Sequence, residues 1–103
     1  MSSPTHNFQI LVYDSTLNYS RWSTLSLTVA ADNTVTGAFE YSGAVTLLTG
    51  KKVPDGPQDN YVLDGGDVSI RLSSYPTFGS QLPLAGVASI DQAMPFYIIG
   101  KLA

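Results

Sequence analysis

The stretch Trp22-Ser23-Thr24-Leu25-Ser26-Leu27-Thr28-Val29-Ala30-Ala31-Asp32-Asn33-Thr34-Val35-Thr36-Gly37-Ala38-Phe39-Glu40-Tyr41 decides the fold. Leu25, Leu27 and Val29 alternate with Thr24, Ser26 and Thr28, which is the period of a strand with one buried face. Ala31-Asp32-Asn33 then reverses the chain, because Asp and Asn bond their own backbone and tolerate left-handed dihedrals. The return strand, Thr34 to Tyr41, sets Val35, Phe39 and Tyr41 inward against Thr34, Thr36 and Glu40 outward. Gly37 falls on the inner face, where a missing side chain signals a bulge, a bend or a close neighbour.

The same alternation extends in both directions. Phe8 to Asp14 is the strand before it, preceded by a flexible tail over 1–7 that contains Pro4. Ser42-Gly43 turns the chain into a strand over Ala44 to Thr49. Pro54-Asp55-Gly56-Pro57-Gln58-Asp59-Asn60 has neither period nor apolar content and reads as the longest loop. Tyr61 to Asp64 and Asp67 to Leu72 form a hairpin about the paired glycines Gly65-Gly66. Ser73 to Pro83 reads as a loop that folds Tyr75 and Phe78 over an end of the core. Leu84 to Ile90 and Pro95 to Leu102 close the domain.

Composition agrees with this all-β class. One Glu and three Lys stand against 21 Ser and Thr and 11 aromatic residues, so helix formers are scarce and strand formers abundant. At most one short helical turn, around Asp91 to Ala93, is expected. The expected architecture is a single β domain over 8–103, an antiparallel meander of about seven or eight strands that forms a small barrel or a two-sheet sandwich.

Charge and cysteine content narrow the function classes. With no cysteine there is no disulfide, thiolate metal site or cysteine nucleophile. A net charge of −3, with the basic residues scattered at Arg21, Lys51, Lys52, Arg71 and Lys101, gives no footprint for nucleic acid. Apolar runs such as Ile10 to Tyr13 fall far short of the roughly 20 residues that span a bilayer. The first residues carry no signal-peptide pattern, so a cytoplasmic location and no membrane partner are expected.

Within Ser23 to Gly50, the residues Ser23-Thr24, Ala31-Asp32, Thr36-Gly37, Glu40 and Leu48-Thr49-Gly50 resemble strands two to four of the avidin and streptavidin barrels. The resemblance covers about a quarter of the chain and consists mostly of turn residues. It implies a meander barrel. It does not extend to biotin, which that family holds between several tryptophans, whereas this chain has only Trp22; the family's ligand-contacting Asp on the last strand also has no counterpart.

Catalytic chemistry finds little support. His6, the only histidine, falls in the tail, where no third group can orient it for a triad. Asp64 and Asp67 would face each other across the Gly-Gly turn and, with Asp55 and Asp59, could supply oxygen ligands for calcium. The fixed ligand spacing of a dedicated site is missing, and these residues read as solvated turn carboxylates. Glycoside hydrolysis needs two carboxylates flanking a deep cleft, for which a small barrel has little material. No enzyme activity, no cofactor and no metal site are expected.

Loop aromatics carry the stronger signal. Strand parity turns Trp22 outward with Thr24 and Ser26, and Asn18, Tyr19 and Arg21 lie beside it in sequence. A flat ring beside amide, hydroxyl and guanidinium donors suits a sugar face or the anchor of a protein interface. The competing interpretation is that Trp22 caps an end of the core. Strand one is apolar on both faces, with Leu11 and Tyr13 behind Phe8, Ile10 and Val12; the last strand repeats this with Tyr97 and Ile99 behind Phe96 and Ile98. Leu11, Tyr13, Tyr97 and Ile99 are therefore expected to form one patch packed against a second copy. The expected function is a non-catalytic binding module for a carbohydrate or protein surface, acting as a homo-oligomer. The alternatives are a barrel that holds an apolar small molecule in space left by Gly37, and a purely structural assembly subunit.

Overall fold

The computed structural model describes residues 5–14, 16, 20–41, 43–75, 83–90 and 95–103. They form eight strands: β1 (Thr5–Tyr13), β2 (Ser20–Val29), β3 (Thr34–Tyr41), β4 (Ala44–Asp55), β5 (Gln58–Asp64), β6 (Val68–Ser74), β7 (Leu84–Ile90) and β8 (Phe96–Leu102). Each strand pairs antiparallel with the next and β8 returns to β1, so the meander closes as a barrel rather than a sandwich. No described helix is long and apolar enough to cross a membrane.

The alternation seen in sequence becomes inside and outside. Leu25, Leu27, Val35, Phe39, Leu48, Leu63, Ile70, Leu72 and Ile98 are buried in one core with Phe8, Ile10 and Val12 of the first strand. Closure comes from the register Phe8↔Leu102 through Tyr13↔Tyr97. That pairing leaves neither terminal strand as an open edge that could recruit a foreign strand.

The hairpins follow their turn residues. Asn33 takes φ 69°, its N–H donates to the Ala30 carbonyl at 3.0 Å, and the Ala30 N–H donates to the Thr34 carbonyl at 2.8 Å. Gly37 marks a close neighbour: a Cβ there would collide with the backbone carbonyl of Ser26. The space that Gly37 was expected to leave for a ligand is therefore occupied by the adjacent strand. Gly50 meets the Val62 backbone in the same way, so both glycines permit the tight inward coiling that a small barrel demands.

Three expectations are corrected. The stretch 54–60 is a hairpin, not a loop: Asp55 pairs with Gln58, Gly56 supplies φ 60°, and β4 and β5 run to the turn on either side. Pairing of β4 with β3 ends at Thr34↔Lys51, so Pro54 sits where the sheet no longer needs every N–H. The Gly65-Gly66 connection is longer than two residues, since Asp64 pairs with Ser69 and the Gly65 N–H donates to the Val68 carbonyl at 2.8 Å. Asp64 and Asp67 thus do not oppose each other; Asp64 Oδ1 instead accepts the Gly66 N–H at 2.9 Å. The first strand begins at Thr5, so His6 is not a tail residue but a half-buried strand residue opposite Leu27. Of the residues expected to cap the core, Tyr75 is half-buried and its N–H donates to the Pro83 carbonyl at 2.9 Å, while Phe78 and the turn around Asp91 lie outside the described residues.

Candidate functional site

The outer face over the closing seam gathers most of the residues singled out from sequence. The pleat that buries Ile10 and Val12 turns Leu11 and Tyr13 outward, and the pleat that buries Ile98 turns Tyr97 and Ile99 outward. In the register of the seam Leu11 lies opposite Ile99 and Tyr13 opposite Tyr97. The two tyrosine rings are 5.6 Å apart and tilted by 32°, within the range of favourable aromatic pairs.

Neighbouring strands extend this face. Trp22 on β2 pairs with Leu11, and on β7 Ala85 pairs with Ile99 and Val87 with Tyr97. The result is two outward rows, Trp22-Leu11-Ile99-Ala85 and Tyr13-Tyr97-Val87. Trp22 is 64% exposed and Ile99 46%, so Trp22 does not cap the core. A groove of about 400 Å³ runs beside Trp22 between Gln9, Pro83, Leu84, Ile99 and Lys101. A second hollow, of about 370 Å³, opens among Leu11, Tyr13, Ser20 and Ile99.

The polar residues expected around Trp22 are not assembled there. Arg21 shares the pleat side of buried Ser23, opposite Trp22, and pairs with Val12; adjacent strand residues point to opposite faces, which sequence proximity alone conceals. Asn18 and Tyr19 lie outside the described residues. The polar groups in the groove are instead Gln9 and Lys101, which pair across the seam.

Sequence reading missed two features. Leu47 and Val45 on the outer face of β4 are 75% and 61% exposed; the alternation of β4 carries that signal, since Leu48 is the buried member. The second feature is a hollow of about 340 Å³ at one mouth of the barrel, between His6, Phe8, Leu27, Val29, Asn33, Lys52, Asp59, Tyr61 and Ser74. Lys52 Nζ and Asp59 Oδ2 are 3.6 Å apart there. Burial, reinforced by the Asp59 charge, raises the Tyr61 hydroxyl above the ordinary tyrosine value. Reading 54–60 as a loop hid this mouth, although Asp59, Tyr61 and Leu63 keep strand parity.

His6 and Ser74 share the mouth with Asp59, yet no hydrogen bond joins His6 to either among the described residues. No three His, Asp or Glu side chains among the described residues gather into a group that could hold a metal ion. Leu25, Leu27, Phe39 and Ile70 are all buried in one apolar core. Comparison with protein-family models, with curated proteins and with solved structures finds no match for this chain.

Proposed function

We propose that this chain is a non-catalytic binding module that recognises a protein or carbohydrate surface through the outer apolar face around Trp22, with Leu11, Tyr13, Tyr97 and Ile99 packed against a second copy. The observation that carries this reading is the two apolar rows, one across four strands and one across three, on the outside of a barrel whose inner face already buries its own apolar set. A monomeric barrel needs one apolar face per strand, and a contiguous outward set of this kind marks an interaction surface. The extent of the apolar rows favours a protein surface; for a sugar stacked on Trp22, Gln9 and Lys101 rather than Arg21 would supply the hydrogen-bond donors.

Light scattering on the purified protein, repeated with Leu11→Lys and Ile99→Lys, tests the self-association. A wild type that is monomeric at micromolar concentration overturns it; a folded monomer produced by either substitution places the interface. A glycan array with wild type and Trp22→Ala tests the carbohydrate branch. An oligomer that binds neither glycan nor a second protein fits a purely structural assembly subunit.

A further inference from the structure

One mouth of the barrel departs from the apolar lining in a way that the fold does not require. The inward pleat positions carry apolar residues through the middle of the barrel, but at the ends of β1, β4, β5 and β6 nearest the Asp55–Gln58 turn they become His6, Lys52, Asp59, Tyr61 and Ser74. The opposite mouth holds a hollow too, of about 380 Å³, but there Phe39 stacks on Tyr41 at 5.6 Å, Val68 and Ile90 add apolar wall, and its one charged lining residue, Asp67, forms no ion pair among the described residues. An inward-facing pair of opposite charges thus distinguishes the His6 mouth from the other. Turning Lys52 and Asp59 inward removes both from most of their water, with side chains only 26% and 22% exposed, and a partly buried ion pair returns little net stability for that desolvation.

The geometry of this mouth fits a ligand of one chemical class. Its volume, about 340 Å³, is at the lower end of small-molecule sites, which bounds the occupant to one or two fused rings. Phe8, Leu27 and Val29 form an apolar floor that suits a flat ring. At the rim a strong donor, Lys52 Nζ, stands beside a strong acceptor, Asp59 Oδ2. Their charges cancel, so an anion is opposed by Asp59 and a cation by Lys52, while a neutral edge bearing an adjacent carbonyl and N–H answers both. We infer that this mouth is a binding site for an uncharged, flat mono- or bicyclic molecule with an amide-type edge, whose N–H donates to Asp59 and whose carbonyl accepts from Lys52. This site is separate from the outer face around Trp22 and stands or falls independently of it.

The test is a titration of the ¹⁵N-labelled full chain with 2-quinolone, a neutral bicyclic lactam, followed through the backbone amides. Naphthalene-2-carboxylate and 2-naphthylmethylammonium serve as the anionic and cationic counterparts. Saturable shifts centred on His6, Leu27, Lys52, Asp59 and Tyr61 are expected, with both charged counterparts at least about tenfold weaker, since each leaves one rim group unanswered. Lys52→Met and Asp59→Leu should each weaken 2-quinolone by about tenfold, and Val29→Trp, which fills the floor, should abolish the shifts. A far-ultraviolet spectrum and a melting curve establish that each variant is folded; should one polar variant fail to fold, the other supplies the comparison. Absence of saturable shifts at millimolar 2-quinolone, shifts confined to the Trp22 groove, equal binding of the charged counterparts, or binding undiminished in folded Val29→Trp would each overturn the inference.

Discussion

Ile98 and Ile99 are consecutive, chemically identical, and 1% and 46% exposed; the outer wall of β3, by contrast, presents Thr34, Thr36 and Glu40 to solvent and keeps Val35 and Phe39 inside. Both walls enclose the same core. The barrel therefore does not need apolar residues on the outside of β1 and β8, since β3 manages without them. The lining residues answer a requirement of folding, and the proposed interface assigns the seam residues a requirement that lies outside the monomer.

The sharpest way to break this comparison is to truncate the two isoleucines separately. Ile98→Ala removes methylenes from a filled core and should cost about 2–5 kcal/mol, because the surrounding strands cannot collapse onto the cavity. Ile99→Ala should cost less than about 1 kcal/mol in dilute protein. Urea unfolding of both variants at low and high protein concentration measures the difference. If Ile99 packs against a second copy, its loss should become larger as concentration rises, whereas that of Ile98 should not. Equal costs for the two would mean that the outer face is already covered within the monomer.

A second intervention acts on the walls themselves. Ile99→Lys and Leu11→Lys place a charge where two copies would desolvate it, so each should shift the light-scattering mass to that of the monomer. Thr36→Lys, on the polar wall, should leave the mass unchanged. Dissociation by Thr36→Lys alone would move the interface to β3 and sink the assignment of the seam.

Much of this contrast was legible in the sequence, for a physical reason. Alternation is enforced wherever one face is buried, so β3 (Thr34–Tyr41) and β7 (Leu84–Ile90) begin and end where the pattern predicts. The double-faced apolar character of β1 and β8 could be read as well, because a second apolar set has no place inside a barrel. The mouth could not. Beyond Lys51 the β4–β5 hairpin leaves the support of β3, its inward positions carry Lys52 and Asp59, and its turn carries Gly56 and Pro57; without an apolar inner face it has no period to detect. His6 was hidden similarly, since polar residues on both sides of it resemble a tail until Leu27 is seen opposite. Arg21 shows the converse error, in which neighbours in sequence were placed on one surface although the pleat separates them.

Trp22 tests the edge of the apolar face at smaller amplitude. At 64% exposure Trp22 lines the outer groove rather than the core, so Trp22→Ala should cost less than about 2 kcal/mol, below the roughly 3 to 5 of a buried Trp. Iodide should quench its fluorescence in dilute protein. Quenching that weakens on raising the concentration would extend the interface between copies to Trp22. A ring shielded at every dilution, with a large stability loss on truncation, would return Trp22 to the core.

The smallest effect belongs to the polar wall, whose hairpin holds itself together. Thr34 donates to Asp32 Oδ1 twice, from its hydroxyl at 2.6 Å and from its backbone N–H at 3.1 Å. The hydroxyl bond, then the backbone bond, draws the Asp32 carboxyl below its ordinary value. A carboxylate whose folded value is depressed stabilises the fold at pH above its unfolded value, about 4, and loses that contribution as pH falls through the folded value. Asp32→Ala should therefore lower the urea midpoint slightly at pH 7, and the gap to wild type should narrow at acid pH once both chains carry a neutral group there. Because Asp32 is exposed and its partners lie two residues away in the same turn, the gap should not depend on protein concentration, in contrast to Ile99. A gap that persists unchanged at low pH would assign the loss to turn conformation rather than to the carboxylate's hydrogen bonds. A gap that grows with concentration would place the β2–β3 hairpin, too, in contact with another chain.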